Sequence, residues 1–210
     1  MPTSRVEAFS DGVFAIAITL LILDIRVPDA GEGSLARALL RQWPSFTSYA
    51  VSFAVIGIIW VNHHAIFRYV VRVDRVVLFL NLGLLMAVSF LPFPTALFAR
   101  YLRDSGTNGH VAAFVYGSTM TVLSIVWSAL WWYLSHRQDV HRGTIGHEAA
   151  HQVARQGFVG PLAYGATLGL AWVSPPLTLA VFAALAVFWM VVYRPESRGA
   201  GASEEGSGPE

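Results

Sequence analysis

The sequence predicts an all-α, polytopic membrane protein with six transmembrane helices. Of its 210 residues, 55% are hydrophobic and only 13% are charged, and the mean hydropathy is +0.53. A typical soluble domain carries about 25% charged residues and about 45–50% apolar residues. Long stretches with almost no charge point the same way, because about 20 consecutive apolar residues of helix cross the hydrocarbon core of a bilayer.

Six apolar stretches are long enough to span the membrane. In chain order they are Val6–Val27, Phe46–Val71, Val76–Phe98, Val111–Leu134, Gly157–Val173 and Leu177–Tyr193. The first stretch does not resemble a cleaved signal peptide, because Glu7 and Asp11 occupy the place of a basic n-region. The last two are short and separated by Ser174-Pro175-Pro176, which predicts an antiparallel hairpin. Residues 1–195 are thus expected to form one transmembrane unit, followed by a disordered cytoplasmic tail over residues 196–210.

The placement of arginine predicts the orientation, since cytoplasmic loops are enriched in positive charge. With the N-terminus inside, nine arginines fall on the cytoplasmic side: Arg5, Arg68, Arg72, Arg75, Arg137, Arg142, Arg155, Arg194 and Arg198. Five fall outside: Arg26, Arg37, Arg41, Arg100 and Arg103. Both termini are therefore expected in the cytoplasm.

Charge and cysteine content exclude several classes of protein. Fourteen basic and 13 acidic residues give a net charge of +1, and a nucleic-acid-binding protein would instead show a basic patch or a high pI. Cysteine is absent, which excludes disulfides, thiolate catalysis and Cys-ligated metal clusters. No soluble domain remains outside the spans, so no soluble partner is implied.

Polar residues on the first three predicted helices fall at one depth. Each lies four to six residues from the arginine at the inner end of its helix, about 6–9 Å inside the boundary, and Trp60 lies one turn deeper. The polar set is Ser10, Asp11, Asn62, His63, His64 and Asn81. One interpretation is a structural network of interhelical hydrogen bonds. The other is an ion or proton relay, because ionisable residues inside a span are otherwise costly. The two are not exclusive.

An apolar stripe runs along the first helix above this layer. At 100° per residue Ile16, Leu20 and Leu23 fall within about 60° of one another, with Gly12 on the same side and Thr19 beside them. Periodicity alone does not distinguish a stripe that faces a protein core from one that lines a pore.

The residues around this stripe resemble a known family. Arg5, Phe9-Ser10-Asp11 and the following segment GVFAIAITLLILDI closely resemble the signature of the transmembrane protein 175 family, the bacterial relatives of the lysosomal potassium channel. The ends of the second helix (Trp60-Val61-Asn62-His63-His64) and the third (Asn81, then Leu91-Pro92-Phe93-Pro94) are similar to the same family, and the resemblance extends to about Arg194. No Thr-Val-Gly-Tyr-Gly filter loop occurs, which excludes ordinary potassium-channel architecture.

The resemblance implies a homotetramer in the plasma membrane of a bacterium, with four copies of the first helix lining a central pore. It assigns the pore and filter positions to Ile16, Thr19, Leu20 and Leu23, with Ile16 and Leu23 as apolar rings. It assigns a bracing network on the cytoplasmic side to Arg5, Phe9, Ser10, Asp11, Trp60, His63, His64 and Asn81. The implied function is a passive cation channel that conducts K⁺ with modest selectivity over Na⁺ through a hydrophobic constriction. It implies no cofactor, metal site or catalytic residue.

Two alternatives remain open from the residues themselves. His147-Glu148-Ala149-Ala150-His151 matches the H-E-x-x-H pattern of zinc metalloproteases, although no third ligand other than His141 is nearby. Asp11 with the histidines would also suit a proton-coupled transporter.

Two lesser features complete the set of expectations. Trp127, Trp131, Trp132 and Tyr133 are typical of an interfacial aromatic belt rather than a ligand site. Asp74 is expected to pair weakly with Arg72 and Arg75 in a surface turn.

Overall fold

The chain is helical almost throughout the computed structural model. The structure describes residues 2–28, 34–68, 70–104, 106–137 and 147–192, and for residues 147–158 and 192 it describes the backbone alone. The described part contains α1 (Thr3–Leu20), α2 (Leu35–Arg41), α3 (Trp43–Phe67), α4 (Arg75–Phe90), α5 (Pro92–Tyr101), α6 (Thr107–His136), α7 (His147–Ala171) and α8 (Pro175–Val192). A 3₁₀ turn, Leu21–Asp24, continues α1. The predicted tail over 196–210 lies outside the described residues.

Four segments are long and apolar enough to cross a membrane. They are Thr3–Asp24, Trp43–Phe67, Arg75–Tyr101 and Thr107–His136, which confirms the first four predicted spans. Among the described residues, Val159–Ala171 and Pro175–Val191 are apolar but shorter than 18 residues. Helices α7 and α8 pack against each other after the turn at Ser174, as expected for a hairpin. The count of six spans therefore stays a prediction.

The third predicted span is not one continuous helix. Helix α4 ends at Phe90 and α5 begins at Pro92. Neither Pro92 nor Pro94 has a backbone N–H, so the regular i→i+4 hydrogen bonds cannot form there. The last turn of α4 closes instead through the Leu91 N–H, which bonds to the Val88 carbonyl at 3.1 Å. The third predicted span, Val76–Phe98, therefore consists of two helical segments that meet at Leu91.

The helices enclose a core between α1, α3, α4, α5 and α6, and α7 packs most extensively on α6. The largest fully buried side chains include Tyr116, Phe67, Phe98, Phe182, Ile56, Leu84 and Leu91. Lipid tails are as apolar as these side chains, so burial alone provides little drive for helix association in a bilayer. Close packing and interhelical hydrogen bonds must hold the helices together.

A buried chain of hydroxyl groups joins α3, α5 and α6. The Thr95 hydroxyl donates to the Leu91 carbonyl at 2.8 Å, so its oxygen accepts from Ser52 at 2.8 Å. Ser52 in turn accepts from the Tyr116 hydroxyl at 2.9 Å. All three side chains are buried, and the chain of donors ends on a backbone carbonyl, with every member satisfied. It holds α5 in place after the proline break.

Asp74 caps α4 and ties it to the end of α6. Its carboxylate accepts the Val77 N–H at 2.9 Å and the hydroxyl of Tyr133, and the Arg137 guanidinium lies 4.0 Å away. The expected pairing with the neighbouring arginines of the turn is therefore wrong. Hydrogen bonds from Tyr133 and then Val77 hold the Asp74 pKa below its ordinary value of 3.8.

Replacing this cap tests the arrangement. Asp74→Ala should lower the free energy of unfolding by about 1 kcal/mol at pH 7, because the first turn of α4 loses its side-chain acceptor. Since folding depresses the Asp74 pKa, the difference between wild type and variant should be full above pH 3.8 and shrink as the pH falls through the lower, folded pKa. Thermal unfolding of both proteins in detergent, at pH 7 and below pH 3.8, measures this difference in stability. Glu7→Gln is the control, and a difference independent of pH would contradict the account.

Candidate functional site

Helix α1 has one face packed on the subunit and one face left uncovered. The buried face, which meets α3 and α4, consists of Val6, Ser10, Phe14, Ala17 and, in the 3₁₀ turn, Leu21. The predicted pore positions lie on the other side: Ile16 is 61% exposed, Leu20 41% and Leu23 71%, and Thr19 is exposed as well. Phe9 continues this stripe toward the start of the helix and is 56% exposed.

The packed face is fixed by a hydrogen-bond relay across three helices. The Asn81 side chain on α4 donates from Nδ2 to Ser10 Oγ on α1 at 3.0 Å. Its Oδ1 lies 2.8 Å from Nε2 of His63 on α3. The Ser10 hydroxyl in turn donates a hydrogen bond to the Val6 carbonyl at 2.8 Å. All three side chains are 2% exposed or less, so the Asn81 amide is the buried junction of α1, α3 and α4.

The relay has a single consistent direction. Because the Ser10 hydroxyl donates to Val6, its oxygen accepts from Asn81 Nδ2. Asn81 Oδ1 is then the acceptor toward His63, and His63 Nε2 carries a proton. Two rings hold the imidazole in this orientation: Phe67 stacks on it at 4.2 Å and Phe14 meets it edge-on at 5.4 Å, between ring centroids. Each of the three bonds in the relay thus joins one donor to one acceptor.

A second bond joins α1 and α3 at the edge of the uncovered face. The Trp60 indole N–H donates to Asp11 Oδ1 at 2.9 Å. The Trp60 ring also stacks on His64, with centroids 6.4 Å apart and planes 29° apart. Asp11 is half-buried, while Trp60 and His64 are exposed on the subunit. This pair lies beside the stripe that carries Ile16.

The structure therefore brings most of the predicted bracing group together, but not all of it. Arg5 and Phe9 are exposed, and within the described residues no hydrogen bond or ion pair links them to the other members. Sequence reasoning missed Phe14 and Phe67, which flank His63. Phe14 lies one turn after Ser10 on the same helical face, and that spacing was the available signal.

Thr19 has its hydroxyl proton committed to its own helix. Thr19 Oγ1 lies 2.9 Å from both the Ala15 and Ile16 carbonyls, the usual back-bonding of threonine in a helix. The oxygen lone pairs remain, and the residue is exposed on the uncovered face.

The described residues contain no group of three side chains able to hold a metal ion. The predicted H-E-x-x-H segment, His147–His151, begins α7, and its side chains lie outside the described residues.

The comparison with known proteins places these features in a family. The family model described as "Endosomal/lysosomal potassium channel TMEM175" matches residues 5–92. This segment contains α3, α4 and nearly all of α1. A potassium channel of Streptomyces collinus is 52% identical over 188 residues, which cover 89% of this chain and 91% of the relative. The chain belongs to the TMEM175 family.

Further TMEM175 relatives agree in sequence and in fold. A potassium channel of Chamaesiphon minutus is 40% identical over 190 residues, or 89% of this chain and 93% of the relative. The crystal structure of a TMEM175 homologue from that organism superposes with a TM-score of 0.81 at 39% identity, covering 90% of this chain and 97% of that one. Members of this family are ion channels and not enzymes, so the metalloprotease alternative is rejected.

Removing the Asn81 amide tests the junction. Asn81→Leu should lower the free energy of unfolding by about 2–6 kcal/mol, because two buried partners, Ser10 and His63, each lose a hydrogen bond at a cost of about 1–3 kcal/mol. Unfolding in detergent, followed by tryptophan fluorescence, measures the loss. Asn108→Leu, an exposed position on α6, is the matched control. Equal stability of the two variants would contradict the account.

Proposed function

We propose that the chain is one subunit of a homotetrameric, passive potassium channel whose pore is lined by four copies of the uncovered face of α1. The observation that carries the proposal is the exposure of Ile16, Leu20 and Leu23 on a helix whose other face is locked into the subunit. The relatives from Streptomyces collinus and Chamaesiphon minutus, both named potassium channels, support the same function.

The uncovered face of α1 differs from the faces that suit lipid. Helix α4 presents Phe79 at 73% and Met86 at 71% exposure, large apolar side chains typical of a surface in contact with acyl chains. On α1, Gly12 and Thr19 interrupt the stripe, and Asp11 borders it. Ile16 and Leu23 are seven residues apart and therefore almost aligned, so rotational symmetry would stack them as successive rings around an axis.

These rings would form a hydrophobic constriction. The uncovered face of α1 presents apolar side chains rather than backbone carbonyls, so an ion must shed part of its water to pass without a cage that replaces its hydration shell. K⁺ sheds water at lower cost than Na⁺, which gives modest selectivity. Between the rings, Thr19 would offer hydroxyl oxygen lone pairs to a partly dehydrated cation, because its proton is already bonded to the helix backbone.

The relay favours a passive channel over a proton-coupled transporter. His63 Nε2, Asn81 Nδ2 and Ser10 Oγ each donate a hydrogen bond within the network, which supports a role in holding the helices together. We place the channel in the bacterial plasma membrane as a six-span protein with both termini in the cytoplasm, following the excess of arginine on that side.

Ile16→Asn tests the constriction. A polar side chain at this ring should wet the pore, so passive K⁺ flux into liposomes should rise several-fold and selectivity over Na⁺ should fall. Ile125→Asn is the matched control, because Ile125 is 51% exposed on α6, away from the proposed pore. If Ile16→Asn leaves both flux and selectivity unchanged, Ile16 does not form the constriction.

Thr19 is tested by a pair of variants of similar size. Thr19→Val removes the hydroxyl oxygen and should lower the K⁺/Na⁺ permeability ratio severalfold, whereas Thr19→Ser keeps the oxygen and should retain the ratio. Thr47→Val, at a back-bonded threonine of α3, controls for the loss of a hydroxyl elsewhere. Reversal potentials under bi-ionic conditions measure the ratio. The same ratio in Thr19→Val and wild type would rule out a role for the hydroxyl.

A further inference from the structure

A cavity of about 90 Å³ lies inside the subunit, away from the uncovered face of α1. Helices α3, α6, α7 and α8 surround it, and much of its wall is apolar, with Ile59, Met120 and Ala186 among the side chains. No charged side chain belongs to its described wall. Asn62, which lines the cavity, precedes His63 of the hydrogen-bond relay in the chain.

Aromatic side chains make up another part of the wall. Trp127 and Trp131 of α6, Trp189 of α8 and Tyr164 of α7 all line the cavity. Trp127 and Trp131, which are expected in an interfacial belt, are half-buried in the cavity wall, while Trp132 is 53% exposed. Their place in such a belt stays a prediction.

Two polar groups face the cavity without a protein partner. Asn62 is 9% exposed and Ser124 is 6% exposed, and neither side chain makes a hydrogen bond in the part of the chain that the structure describes. Among the described residues the buried side-chain atoms without a partner are Gln42 Oε1 and Ser48 Oγ, so the polar atoms of Asn62 and Ser124 keep contact with the open space of the cavity. They can therefore bond to an occupant. Gly160 leaves room at this point, because a Cβ atom there would lie 2.5 Å from Ser124 Oγ.

We propose that this cavity binds a small, uncharged aromatic molecule with one hydrogen-bonding substituent, of the size of a phenol. Ligand sites are typically concave and mostly apolar, with a few placed polar groups that fix orientation. The volume admits a single ring, the indole and phenol walls suit ring stacking, and the described wall offers no charge that would pair with an ionic ligand. Asn62 supplies both a donor and an acceptor, and Ser124 supplies a hydroxyl.

The experiment measures binding of 4-fluorophenol to the full chain in nanodiscs by ¹⁹F relaxation, with protein-free nanodiscs to subtract partition into lipid. It does not depend on ion conduction, so its result is separate from that of the channel proposal. Wild type should show saturable binding, and cyclohexanol, which has the hydroxyl but no aromatic ring, should compete at least tenfold more weakly than phenol.

Variants of the wall locate the binding. Asn62→Leu removes the amide and Ala186→Leu fills space, and each should weaken binding at least tenfold, whereas Asn108→Leu on the surface should bind as wild type does. Ser124→Ala is a smaller change that keeps the packing, and it should weaken binding about threefold even if the larger substitutions unfold the chain. No saturable binding by wild type, which would mean that only water occupies the cavity, overturns the proposal. Equal affinity of wild type and Ser124→Ala, or equal competition by cyclohexanol and phenol, also overturns it.

Discussion

The rest of the structure depends on the two hydrogen bonds of the Asn81 side-chain amide, one to Ser10 and one to His63. In a bilayer, apolar contact alone does not select how a helix is turned about its axis, because lipid satisfies an apolar side chain as well as protein does. The bond from Asn81 to Ser10 selects one rotation of α1, and the bond to His63 fixes the neighbouring helix. A rotation of α1 by one residue, about 100°, would break the hydrogen bond between Asn81 and Ser10 and leave buried polar groups unpaired.

The fixed rotation decides which residues of α1 remain uncovered. With Ser10 held inward, Phe14 packs against His63, and Ile16 and Leu23 must face away from the subunit. The hydroxyl chain centred on Ser52 performs a similar task between α3, α5 and α6, where Pro92 interrupts the helix. Two buried hydrogen-bond networks thus hold the scaffold, and an apolar stripe of α1 is left uncovered.

The sequence predicts the depth of polar residues better than it predicts their partners. Asn81 and His63 stand out because amide and imidazole groups are rare inside spans, and their distance from arginine gives their level. The partner of Trp60 is not predictable, because it depends on the mutual rotation of two helices. Ser52 and Tyr116 escape sequence reasoning for another reason: serine and tyrosine are common in spans, and only tertiary packing shows that they meet. The break before α5 was visible as two prolines, yet its effect on the hydrogen-bond ladder needed the structure.

The absence of cysteine from the chain allows the most direct test of the central claim that one face of α1 lines an ion pathway. Single cysteines would be placed along α1 and exposed to a membrane-impermeant thiol reagent during K⁺ flux in liposomes. The account predicts rapid block at Ile16→Cys and Leu23→Cys, and no block at Ala17→Cys or Leu21→Cys, which lie on the packed face. Block at the packed positions, or at none of the four, would contradict it.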